Sequence, residues 1–149
     1  MFQNKNKDVV YLLRILQHIG KINNLCKQFD SLEALYNHNE QTEFNAILAY
    51  TTQIGENASK LSSTIKSIYD VIQWQKIKDF RNFIVHDYIG INKNVVFDTI
   101  NNELPILKTY VESIIKEEIY LNNFDLDFIT SSRNNQFYKF VDFNKFITP

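Results

Sequence analysis

The stretch Trp74-Gln75-Lys76-Ile77-Lys78-Asp79-Phe80-Arg81-Asn82-Phe83-Ile84-Val85-His86-Asp87-Tyr88 sets Ile77, Phe80 and Ile84, with Trp74 ahead of them, at steps of three and four. That is the period of a helix with one buried face. Gly90, just past Tyr88 and Ile89, is placed to take the left-handed conformation that closes a helix. The last part of the stretch gathers the guanidinium of Arg81, the amide of Asn82, the imidazole of His86 and the phenol of Tyr88. On a helix Arg81 and His86 point roughly 140° apart, while Asn82 and His86 share a face. Arg81 and His86 therefore reach one target only if the helix end turns, or if a second copy of the chain faces the first across a symmetry axis.

This set of groups suits phosphate chemistry. Arginine stays charged and offers a planar fork of donors to phosphate oxygens, and histidine, with an unperturbed pKa of about 6.5, takes and gives protons near neutrality. An RNA backbone carries its own nucleophile, the 2′-OH, so a histidine suffices to assist its attack while an arginine steadies the developing charge. The competing reading is structural, with Arg81 a solvated cation near a helix C-terminus, His86 a capping residue and Tyr88 packed core. Spacing alone leaves both readings open.

The longer pattern Trp74-x2-Ile77-x2-Phe80-Arg81-Asn82-x3-His86-Asp87-Tyr88, followed by Ile91 and by Leu104-Pro105-x-Leu107, resembles the HepT-like branch of the HEPN superfamily, whose mark is R-x4-H-x-Y. Upstream, Gln53-Ile54-Gly55-Glu56-Asn57-Ala58-x2-Leu61-Ser62 is similar to the I-G-E-A-A segment of that branch, and the matches keep their order through about residues 5 to 120. The resemblance implies a small all-helical protein that dimerises. It further implies a toxin that cuts RNA without a metal or cofactor and is paired with a minimal nucleotidyltransferase antitoxin, which adenylylates the motif tyrosine. Carried over residue by residue, it makes Arg81 and His86 the catalytic pair, Asn82 the polar residue beside the arginine, and Tyr88 the adenylylation site.

Composition bounds this reading. The 149 residues are one domain's worth, and 44% hydrophobic against 22% charged residues is an ordinary globular balance. A formal charge of -1 argues against a bulk nucleic-acid binder without excluding an enzyme that grips one phosphate. Lys76, Lys78 and Arg81, with Lys5, Lys7 and Arg14 near the start, are the cations available for a local basic patch, though a solvated helix face explains most of them equally well. Cys26 is the single cysteine, which precludes an intrachain disulfide, and no Cys/His cluster has zinc spacing. The N-terminal residues lead into no long apolar run, so neither a signal peptide nor a membrane span is expected, and the cytoplasm is the inferred location.

Along the chain, Val9, Leu12, Leu13, Leu16, Ile19, Ile22 and Leu25 write a first helix with Gly20 inside it, at a cost of about 1 kcal/mol relative to alanine. His18, one position off this stripe, reads as a boundary residue, and Cys26 as a small core residue. Asp30 with Glu33, or Ser31 one residue later, caps a short helix over Leu32 to Tyr36, and Asn37-His38-Asn39 reads as a turn with His38 exposed. Ile47, Tyr50, Ile54, Ala58, Leu61, Ile65 and Ile68 predict one long helix from about Gln41 to Tyr69, with Gly55 on or beside its buried stripe, where the missing side chain permits close approach. Glu56 either orients the motif or a partner, or is an exposed helix glutamate.

After the motif, Val95, Val96, Phe97 and Ile100 resume a helical pattern, which Pro105 must kink or interrupt unless Asn101 or Asn102 caps a fresh helix. Ile106, Tyr110, Ile114 and Glu117, with Leu107, Val111 and Ile115 beside them, carry that helix toward Leu121. From Asn122 the chain sets Phe124, Phe128, Phe137, Tyr138, Phe140, Phe143 and Phe146 among polar residues without a helical period. Leu126 to Ile129 and Phe137 to Phe143 are expected to be short extended pieces, and the aromatics to fold back over the bundle or cover a partner.

The expectation is an all-α, up-and-down bundle of four or more helices over residues 1–121 with an irregular, aromatic-rich extension over 122–149. Its expected function is that of a homodimeric endoribonuclease toxin acting on RNA by 2′-OH transesterification through Arg81, His86 and Asn82, neutralised by a nucleotidyltransferase antitoxin at Tyr88. The alternative is a non-catalytic helical partner or nucleotide-binding subunit of a nucleotidyltransferase complex.

Overall fold

The computed structural model describes residues 6–148. Residues 1–5, with Lys5 and most of the N-terminal stretch read above, and residue 149 lie outside the described residues. Helix α1, Lys7–Cys26, buries Val9, Leu12, Leu13, Leu16, Ile19 and Ile22 of the stripe that the sequence predicts, while Leu25 at its end is only partly buried. It also buries Ile15, Gln17 and His18, because the C-terminal tail covers a second side of the helix. The Gln17 Oε1 accepts the backbone N–H of Phe140 at 2.8 Å, and a Cβ on Gly20 would lie only 2.4 Å from the Phe140 Cβ. The glycine disfavoured by helix propensity is therefore the seat of the tail.

Ser31 caps α2, Leu32–Asn37, by accepting the Ala34 N–H at 3.0 Å, and a 3₁₀ turn, His38–Gln41, leads into α3, Thr42–Ser59. The expected long helix does not run to Tyr69. It stops at Ser59, and α4 restarts over Ser63–Ile68. The reason is tertiary: the carboxylate of Asp8, on the first turn of α1, accepts both the N–H of Ser62 at 2.8 Å and its hydroxyl at 2.6 Å. Ser62 in turn accepts the Ile65 N–H and caps the new helix, so one serine ends one helix, begins another and ties both to α1.

The motif helix α5, Trp74–Asp87, packs on α3, which is also the neighbour of α1, and α1 packs on the last long helix. That last segment comprises α6, Lys93–Asp98, a π turn over Thr99–Glu103, and α7, Leu104–Tyr120, with helical backbone throughout. Pro105 neither breaks it nor starts a freshly capped helix. The Leu104 N–H bonds to the carbonyl of Thr99, five residues back, and this widened turn accommodates a residue that has no N–H and crowds the preceding turn. The buried face of α7 is Leu104, Leu107, Val111, Ile114 and Ile115, while Ile106 is exposed, which corrects the expected stripe.

The tail folds as α8, Leu126–Ser132, and two 3₁₀ turns, Gln136–Tyr138 and Phe143–Lys145. The extended pieces expected there do not form, and no strand occurs among the described residues. Asp125, Asn135 and Asp142 each accept the backbone N–H two residues on, so short polar side chains start each turn locally. Around those starts Phe124, Tyr138, Val141, Phe143 and Phe146 are buried in the same hydrophobic core as the bundle. The result is an all-α, up-and-down bundle with an aromatic-rich C-terminal region.

Candidate active site

Of the fourteen residues of α5 only Ile84 is fully buried, with Trp74, Ile77 and Phe80 packed partly against the core. The helix therefore lies on the outside of the bundle and carries Arg81, Asn82 and His86 in its second half. Arg81 sits at the seam with α3, directly over Gly55, where a Cβ would lie 2.4 Å from the Arg81 Cβ and 2.7 Å from its Cγ. One residue on, the Glu56 carboxylate forms an ion pair with Arg81 Nη2, and Arg81 Nη1 donates to Asn82 Oδ1 at 2.6 Å. The Nε of Arg81 is buried without a hydrogen-bond partner. The guanidinium is thus held at both terminal nitrogens by two helices.

His86 lies in the last turn of α5, exposed, with no hydrogen bond or ion pair among the described residues. Both Arg81 and His86 fall inside the helix, so the angular separation of roughly 140° stands, and no hydrogen bond joins them among the described residues. Asn82, four residues before His86 on the same helix face, reaches the guanidinium.

The helix closes differently from the expectation. Tyr88 is the C-terminal cap in right-handed conformation, with φ -65° and ψ -28°, and no glycine among the described residues has a positive φ. The lack of a side chain on Gly90 instead leaves room for Asp87, whose Oδ1 is 3.0 Å from where a Cβ would stand. Tyr88 is 55% exposed, which rules out the packed-core reading of that residue.

A model of the family described as ribonuclease HepT-like matches residues 15–114. The chain belongs to this HepT-like family. It is 28% identical over 107 residues to "Putative RNase MJ0125" of Methanocaldococcus jannaschii, an alignment covering 72% of the chain and 90% of the relative. It is 27% identical over 77 residues to "Probable ribonuclease HepT" of Thermococcus cleftensis, covering 52% of the chain and 69% of the relative. With "Putative RNase TTE0752" of Caldanaerobacter subterraneus subsp. tengcongensis it shares 29% identity over 65 residues, which is 44% of the chain and 58% of that relative's length. No solved structure matches the chain.

Two hollows flank the motif helix of the HepT-like chain. The larger hollow, of about 450 Å³, opens on the other side of α5 toward α7 and is lined by Ile54, Ile72, Ile77, Phe80, Leu104 and Tyr110 among others. A shallower one, of about 250 Å³, lies between α3 and the end of α5, with Leu48, Thr52, Ile84, Val85 and Tyr88 in its wall. Among the described residues no group of three or more His, Cys, Asp or Glu is arranged to hold a metal, and no helix is long and apolar enough to cross a membrane.

The remaining singled-out residues lie elsewhere. His18 is buried and bonded through Nδ1 to the Arg14 carbonyl at 2.7 Å, and burial pushes its pKa below the usual value for histidine. Burial pushes the Cys26 thiol up, away from nucleophilic use. His38 is exposed and paired with Glu43 at 2.9 Å, and that hydrogen bond holds the Glu43 carboxyl below its usual range. Arg14 lies over the Tyr11 ring on α1, whereas Lys76 lines the larger hollow, so these two cations serve different places. Glu56 is the residue that sequence reading left undecided. Its signal was its position next to a mid-helix glycine, but the partner came from a segment 25 residues away.

Proposed function

We propose that this HepT-like chain is a metal-independent endoribonuclease whose site forms between two copies of α5. The observation that carries the reading is the division of labour along that helix: Arg81 is clamped by Glu56 and Asn82, while His86 stands exposed on the outward face, with no hydrogen bond or ion pair among the described residues. A second chain apposed through this face places one copy's histidine near the other's Asn82 and Arg81 edge. Half-exposed Phe83 and Val85 beside them supply apolar surface for that contact. The similarity to proteins named as ribonucleases supports RNA as the substrate.

In the proposed reaction the 2′-oxygen loses its proton to an imidazole and attacks the adjacent phosphorus. The bond from phosphorus to the 5′-oxygen breaks, that oxygen takes a proton from imidazolium, and the products are a 2′,3′-cyclic phosphate and a 5′-OH end. Arg81 stabilises the negative charge of the phosphorane, and Asn82 positions the phosphate or the histidine. Tyr88, exposed at the helix end, is accessible to adenylylation by a nucleotidyltransferase antitoxin. An attached AMP would set a negative charge near Arg81 and fill space that RNA needs.

The test is incubation of purified, unmodified protein with RNA in excess EDTA, with the cleavage ends identified and the oligomeric state measured by light scattering. Cyclic-phosphate ends from a dimer, abolished by His86→Ala with helical circular dichroism unchanged, are expected. A strictly divalent-dependent activity, a monomer at micromolar concentration, or undiminished cleavage by His86→Ala would refute the assignment. One observation favours a second reading: among the described residues no hydrogen bond or ion pair orients His86. A non-catalytic partner of a nucleotidyltransferase needs no oriented histidine, and it would leave RNA intact in the same assay.

A further inference from the structure

Three features of the α3–α5 seam are unfavourable for stability alone. Gly55 stands in the middle of a helix, the Nε of Arg81 is buried without a partner, and the ion pair it accompanies is partly solvated, with side chains 28% and 32% exposed for Arg81 and Glu56. Mid-helix glycine weakens a helix, an orphaned buried donor is costly, and half-exposed ion pairs contribute little. What the three achieve together is geometric. The glycine lets the arginine stem lie flat on α3, and the next residue of the same turn takes hold of its far end.

We infer that Glu56 is a positioning residue for Arg81. The inference rests on the reading of Arg81 as the phosphate-binding group and extends it to α3. A guanidinium has five N–H bonds. Here one is buried, one on Nη2 goes to Glu56 and one on Nη1 goes to Asn82, which leaves one hydrogen on each terminal nitrogen. Those two hydrogens are what a phosphate meets, and their direction is set before the phosphate arrives. A free arginine has to freeze its rotatable side chain on contact, whereas this one has already done so in the folded chain. Glu56 does not itself touch substrate. It acts by fixing the plane of the guanidinium and by keeping its remaining donors turned away from α3.

The experiment uses Glu56→Ala, which removes the clamp, and Glu56→Gln, which keeps an oxygen acceptor of the same shape without the charge. With a single-stranded RNA oligonucleotide, Glu56→Ala is expected to lower kcat by about 100-fold with little change in KM, the scale of a misplaced catalytic group. Glu56→Gln is expected to recover most of that loss, while the melting temperature of both stays near that of the unmodified protein. A second measurement does not depend on turnover. Slow rotation of the Arg81 Nη groups, read by nitrogen-15 NMR and assigned by its absence in Arg81→Lys, is expected in the unmodified protein and is lost in Glu56→Ala. If the unmodified protein cuts no RNA but this signature behaves as expected, the nuclease reading fails and the positioning of Arg81 stands. Undiminished kcat in Glu56→Ala, or an Arg81 signature that survives the substitution, overturns the inference, as does a loss of kcat that only follows a matching loss of melting temperature.

Discussion

Replacing Gly55 by alanine separates what the α3–α5 seam does for stability from what it does for chemistry. The new Cβ would lie 2.4 Å from the Arg81 Cβ and 2.7 Å from its Cγ, with the Ile77 carbonyl oxygen at 3.5 Å. Carbon atoms rest at about 3.5–4.0 Å, so α5 must retreat from α3 by more than about 1 Å at this point. Overpacking of this kind costs about 1–3 kcal/mol, and the gain in helix propensity from glycine to alanine offsets about 1 kcal/mol of it. The net loss is therefore at most about 2 kcal/mol, a fall in Tm of no more than about 8 °C for a domain of this size. Activity should suffer far more, because a displacement near 1 Å at a positioned group costs about 100-fold. Urea and thermal unfolding measured alongside RNA cleavage on the same preparation make the comparison. A Gly55→Ala protein with full activity would refute the seating of Arg81 on α3, and so would one more stable than its parent, since propensity would then outweigh the clash.

Tyr88→Phe is expected to keep most of the cleavage activity and to escape adenylylation. Intact-mass and peptide spectra after co-expression with the cognate nucleotidyltransferase would show an AMP adduct of the parent only, and an adduct elsewhere would count against Tyr88. Acidification should weaken the fold through His18. Its folded pKa lies below the unfolded value of about 6.5, chiefly because it is buried; the bond to the Arg14 carbonyl opposes the shift and the charges of Lys21 and Arg14 add to it, so the unfolded chain binds more protons as pH falls below that value. Stability should drop by at most about 1.4 kcal/mol per pH unit from this one group, and His18→Gln should flatten that limb in urea titrations between pH 7 and 5. Gly20→Ala should dislodge the tail, because the added Cβ meets both the Phe140 Cβ at 2.4 Å and its carbonyl oxygen at 2.8 Å. Faster proteolysis after residue 121 with the bundle still helical is the expected result, and an unchanged digestion pattern would speak against the seat.

Much of this protein was legible from local pattern. Most of the stripe of α1, a capped start of α2 at Asp30 or Ser31, the span of α5 and the rough angle between Arg81 and His86 follow from helix period and capping chemistry, which act within a few residues. Family membership was legible for the same reason, since R-x4-H-x-Y is a local word. What needed the tertiary structure was every feature set by a distant partner. Asp8 reaches across 54 residues to end α3 early, and no periodicity in α3 announces it. Phe140 occupies Gly20 and Gln17 across more than 100 residues, turning a boundary helix face into core. The missing N–H of Pro105 is a local fact that points to a kink, an interruption or a freshly capped helix, whereas the wider turn over Thr99–Glu103 that carries the helix into it is not legible from the pattern. Glu56 was undecided because a helix glutamate looks the same with or without a partner. Only the approach of α5 over Gly55 gave it one, and with it the guanidinium its direction.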